Sequence, residues 1–90
     1  MSVQIPILPR SKKFGYVIWK SNQDFDVKTC LKDIENADVV FDGEELGKKR
    51  IDWRYRRISL GWRQTRGIPS SKKDFNVSLN RDGKLIIKCQ

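Results

Sequence analysis

Lys49-Arg50-Ile51-Asp52-Trp53-Arg54-Tyr55-Arg56-Arg57-Ile58-Ser59-Leu60 is the stretch on which the fold depends. Ile51, Trp53 and Tyr55 alternate with Arg50, Asp52, Arg54 and Arg56, the two-residue period of a strand with one buried face. A helix would group Ile51, Tyr55, Ile58 and Trp62 but would leave Trp53 among the charges. We therefore read a strand over 49–57. The phase slips at Arg56-Arg57, after which Ile58, Leu60 and Trp62 are the apolar positions, as at a β-bulge or a change of strand. Period-two aromatics usually face inward, so Ile51, Trp53 and Tyr55 read as core. Arg50, Arg54 and Arg56 then form an outer ladder with Asp52, its rungs about 7 Å apart. Arg57, across the slip, points elsewhere.

Downstream, 61–74 reads as one long connection, of a length that is often functional. Phe75, Val77 and Leu79 then alternate, Asn80-Arg81-Asp82-Gly83 turns, and Lys84 to Cys89 returns, which is the clearest hairpin in the chain. Upstream, Val39-Val40-Phe41 is a strand and Asp42-Gly43 a tight-turn dipeptide. Glu44-Glu45-Leu46 returns as a short partner before Gly47 breaks the pattern. Val27, Cys30, Leu31 and Ile34 stand at i, i+3, i+4 and i+7, which predicts a helix over 25–35. Asp24 or Asp26 caps its first turn, and Asn36 suits a left-handed exit. Phe14 to Trp19 is a short β-branched and aromatic strand. Residues 1–13, with Pro6, Pro9 and the basic trio Arg10, Lys12 and Lys13, read as an extended basic arm or edge segment.

These elements predict one small α+β domain over 14–90, preceded by the arm at 1–13. An antiparallel sheet of hairpins carries one helix on one face. Its other face is covered by the arm, curled into a partial barrel, or left to a partner. Ninety residues suffice for one such domain. No run approaches the roughly 20 uncharged apolar residues of a membrane span, and the opening reads as no signal peptide. A cytoplasmic protein with two reduced thiols, Cys30 and Cys89, is the expectation. Histidine is absent, which excludes Ser-His-Asp and Cys-His catalysis and leaves too few ligands for a zinc site. No cofactor motif is present.

The net charge of +8 averages unlike parts. Residues 24–45 hold eight acids against Lys28 and Lys32, whereas 46–66 hold eight bases against Asp52 alone. Six of those bases are arginine, whose planar fork suits phosphate and whose face stacks on π-systems. Exposed ion pairs contribute only about 0–1 kcal/mol each, so stability does not account for so many. The expected partner is nucleic acid, contacted by Lys48, Lys49, Arg50, Arg54, Arg56, Arg63 and Arg66, with Trp62 as the stacking residue. The rival is a protein-interaction module, an acidic protein surface or a homodimer pairing its acidic helix with a neighbour's basic strand. No membrane partner is expected.

Enzyme readings rank third. Asp42, Glu44 or Glu45, and Lys48 or Lys49 are loosely similar to the metal-binding cluster of restriction-type nucleases, but the carboxylate-to-lysine gap is too long. A charged hairpin rim explains them. A metal-independent ribonuclease would use Arg and Lys to stabilise the phosphorane, with Tyr16 or Tyr55 in proton transfer. No residue is assigned a catalytic or metal-binding role.

Overall fold

In the computed structural model, which describes residues 1–90, the decisive strand stops at Asp52. The chain runs β1 (Ser2–Pro6), α1 (Pro9–Phe14), β2 (Tyr16–Ile18), a 3-10 turn (Ser21–Gln23), α2 (Asp24–Leu31), β3 (Asn36–Phe41), β4 (Glu44–Asp52), β5 (Arg57–Ser59), α3 (Trp62–Thr65), β6 (Asp74–Leu79) and β7 (Leu85–Cys89). The seven strands form one sheet in the order β1-β6-β7-β3-β4-β5-β2, and the two edge strands β1 and β2 approach each other. The domain is α+β, with its sheet curled into a nearly closed barrel. All pairings are antiparallel except β3 with β7, where Val39, Val40 and Phe41 lie beside Leu85, Ile86 and Ile87.

One apolar face explains the curl. Val3 and Ile5 of β1, Val39 and Phe41 of β3, Phe75 and Val77 of β6, and Leu85 and Ile87 of β7 are all buried, at alternate positions along their strands. Val27, Cys30 and Leu31 of α2 join the same core, and α2 lies against β1 and β6. Burying both layers in one cluster is the usual solution for a half-apolar sheet and an amphipathic helix. The helix ends earlier than its periodicity predicts. Lys32 and Asp33, not Asn36, take the left-handed conformation, and Ile34 is only half-buried. Asn36 instead opens β3.

Gly47 does not break β4. Val39 pairs with Gly47 and Val40 with Glu45, so Leu46 is the extra residue of a β-bulge within one continuous strand. Residues 1–13 are not a free arm. Residues 2–6 pair with β6, with Ile5 opposite Phe75, and Pro6 closes this edge strand. Residues 9–14 are helical, with Pro9 at the first position and Gly15 as the left-handed cap, its N–H donated to the Ser11 carbonyl. This shortens the strand expected from Phe14 to Tyr16–Ile18. A side chain at Gly15 would collide with the backbone of Gly61 and Trp62, so glycine lets α1 sit against α3. The connection at 61–74 is thus partly helical. No helix is long and apolar enough to cross a membrane.

Candidate functional site

The site is built around the turn Trp53–Arg56, which joins β4 to β5. Ile51 pairs with Ile58 and Asp52 with Arg57, so the chain reverses where the alternating pattern predicts continuation. Two things hold it there. One Asp52 carboxylate oxygen, Oδ1, accepts the Tyr55 N–H at 3.0 Å. Arg56 adopts a left-handed φ of 54°, unfavourable for a long side chain, and is anchored from outside the turn. Its Nε donates to both oxygens of Asp24, at 2.9 and 3.0 Å. The buried Trp19 donates its indole N–H to the same carboxylate at 2.8 Å, and its backbone N–H to the Arg56 carbonyl at 3.0 Å. The Arg56 hydrogen bond is the main cause holding the Asp24 carboxyl below its ordinary pKa, with Trp19 contributing in the same sense.

The consequence for the predicted ladder is plain. Arg50 stays on the strand, but Arg54 and Arg56 lie in the turn, so the three do not form one rail. Ile51 is core, and Trp53 is half-buried, donating to the Ile34 carbonyl at 2.8 Å and meeting Trp19 edge-on at 5.5 Å. Tyr55, expected inside, is 59% exposed because the turn directs it outward. Arg57 heads β5 on the outer face, where its guanidinium lies over Tyr16 at 4.5 Å and Tyr55 at 5.1 Å.

Tyr55 and Arg57 open onto a groove of about 790 Å³ between the turn, β2 and α1. Its aromatic lining is Phe14, Tyr16, Trp19 and Tyr55, and its cations are Arg10, Lys20, Arg56 and Arg57. None of the lining residues is acidic. Arg10 and Phe14 stand four apart on α1 and so present one helical face. A smaller depression of about 240 Å³ adjoins it, sharing Tyr16 and Arg57 and adding Arg50, Asp52 and Ser59.

Of the residues expected to bind, the structure brings Arg50 and Arg56 to this surface. Arg54 does not line the groove: it borders a further hollow with Glu35, Arg50 and Trp53, and its guanidinium lies 5.6 Å from the Tyr55 ring. Lys48 pairs across from Asp38, and Lys49 has the opposite phase, beside Ala37. Trp62, Arg63 and Arg66 lie on or just after α3, outside the groove; Trp62 is half exposed, with the Arg66 guanidinium over its ring at 4.5 Å. Phe14, Tyr16, Lys20, Tyr55, Arg10 and Arg57 are the residues that strand periodicity missed. Pro9 at the start and Gly15 just past the end of a six-residue stretch were the available signal that Arg10 and Phe14 share a helix.

The acidic rim is occupied by local partners. Asp42 accepts the Cys89 N–H at 2.9 Å, and Glu45 holds Lys84 at 2.6 Å. No three Cys, Asp and Glu side chains group so as to hold a metal ion. Comparison with family models, curated proteins and solved structures found no match for this chain.

Proposed function

We propose that the chain is a nucleic-acid-binding domain whose contact surface is the groove between α1, β2 and the Trp53–Arg56 turn. One observation carries this reading: cations and aromatic rings line a single concavity from which carboxylates are absent. Phosphate needs the cations, and bases need the rings. Arg56 serves here as a positioning residue, because Asp24 already meets its charge. Arg10, Lys20 and Arg57 are the phosphate contacts, with Arg50 at the margin. Free, buried Cys30 and Cys89 support a place in the cytoplasm, where thiols stay reduced.

The test is fluorescence anisotropy with labelled DNA and RNA. Three neutralised phosphates lower affinity by roughly 20- to 40-fold between about 50 and 200 mM salt. Arg10→Gln with Lys20→Gln should flatten that dependence while leaving the thermal midpoint unchanged. Absence of binding at the lower salt, with salt-sensitive self-association instead, would overturn the reading in favour of acidic α2 pairing with a neighbour's basic strand.

A further inference from the structure

We infer that the groove takes an unpaired strand, its bases stacked on Phe14 and Tyr55 and a phosphate seated at Arg57. This rests on the nucleic-acid reading above and deepens it. Phe14 is 57% and Tyr55 59% exposed, and both line the same concavity. Cations already stand near both rings, Lys13 at 5.4 Å from Phe14, and Arg57 and Arg54 at 5.1 and 5.6 Å from Tyr55, so each pairs an exposed ring with positive charge, as a stacking platform for a polyanionic strand does. In a duplex the base faces are already covered by their neighbours, and only edges and phosphates are offered. Ring faces therefore distinguish an unpaired strand from a paired one. The shape agrees, since the groove is concave and of small-ligand volume, whereas a duplex reader inserts a projecting helix or ribbon.

Arg57 supplies the second element. Two tyrosine rings flank its guanidinium at 4.5 and 5.1 Å, so much of its side-chain freedom is already lost before any ligand arrives. Its carboxylate neighbour is loosely placed: Asp52 reaches the Nε only at 4.0 Å and has its other oxygen engaged by the Tyr55 N–H. Arg57 also borders the depression lined by Arg50, Asp52 and Ser59, so a phosphate there meets two guanidinium groups and a hydroxyl against the single Asp52 carboxylate, beside the aromatic groove. A base and its own phosphate thus have adjoining places.

The experiment compares labelled oligonucleotides of about twelve nucleotides, single-stranded DNA, single-stranded RNA and duplex, on the full chain. Single strands should bind more tightly than the duplex. Tyr55→Ala and Phe14→Ala should each weaken single-strand binding by about 5- to 150-fold and leave duplex binding nearly unchanged. Arg57→Lys, which keeps the charge but not the planar stack, should also weaken single-strand binding. Melting curves confirm that each variant is folded. Equal binding of duplex and single strand, with Tyr55→Ala and Phe14→Ala both silent, would overturn the stacking inference and leave phosphate binding standing. Failure of every oligonucleotide to bind would overturn both.

Discussion

Two reversals of the chain flank β4, and they are held in different ways. At its start, Asp42 and Gly43 form a two-residue turn, with φ of 46° and 86°. Both values suit the mirror-image turns that match strand twist, and both residues are types that tolerate them. At its end, the four residues Trp53–Arg56 contain neither glycine nor proline. That turn is closed by Asp52, the last residue of β4, and by Asp24 from a helix 32 residues away in sequence from Arg56. The first turn is specified by its own residues, and the second by the tertiary structure around it. The first carries only a charged rim, whereas the second presents Tyr55 and Arg57. A turn locked from outside frees its own positions for side chains with other duties.

The sharpest way to break this contrast is Asp24→Ala. It releases Arg56 from its anchor and leaves the Trp19 indole without its acceptor. For a Trp19 that is 2% exposed, an unsatisfied N–H costs about 1–3 kcal/mol. Release of the turn adds to this and should also weaken single-strand binding, because Tyr55 and Arg57 lose their support. Differential scanning calorimetry and anisotropy on one variant check both effects. A stable variant with unchanged binding would show that Asp52 and the Trp19 N–H to Arg56 carbonyl bond close the turn without Asp24. The pH dependence has a fixed sign. Folding lowers the Asp24 pKa, so its stabilisation is present above about pH 4 and is lost as pH falls through the lower folded value. Asp24→Asn should therefore flatten the acid limb of a melting-temperature profile. Glu45, lowered by its hydrogen bond from Lys84, leaves a residual slope of the same sign.

The same contrast explains what was legible in the sequence. The Phe75–Cys89 hairpin, the Asp42-Gly43 turn and the Val27/Cys30/Leu31 helix face each depend on neighbours a few residues away, and all three form. The alternation through Tyr55 is equally regular, but a contact with Asp24 overrides it, and no local pattern records that contact. The six arginines of 46–66 indicated a charged surface correctly in composition, yet not where each one lies. Arg57, next to the phase slip, lines both the groove and the adjoining depression for that very reason: the slip is the change of strand. The curl of the sheet was one of three stated possibilities. Choosing among them needed the parallel pairing of β3 with β7, a long-range contact that hairpin reasoning does not generate.

Gly43→Ala tests the locally coded turn. Nothing lies within 4 Å of the added methyl group, so the expected cost is conformational only, about 1 kcal/mol for a left-handed alanine. In a domain of this size that lowers the melting temperature by roughly 4–8 °C. Binding should not change, because the turn contributes no residue to the groove. A larger loss of stability than Asp24→Ala produces would reverse the ranking of the two turns.

The smallest effect is chemical rather than structural. Burial first, and then the Asp42 charge, push the Cys89 thiol up to about 12, and burial likewise raises Cys30. Both thiols should therefore resist iodoacetamide at neutral pH in the native state and react on unfolding. Asp42→Asn removes the charge and preserves the turn, since asparagine favours the left-handed conformation and its Oδ1 can accept the Cys89 N–H. The Cys89 pKa should fall but stay above its ordinary value, because burial is the larger cause. A pH profile of native alkylation should then shift to lower pH with little change in melting temperature. If the profile is unmoved, Asp42 is coupled to Cys89 through the backbone alone. If the protein melts early, the charge itself holds β7 to the turn, and the first reversal is less self-contained than its two residues imply.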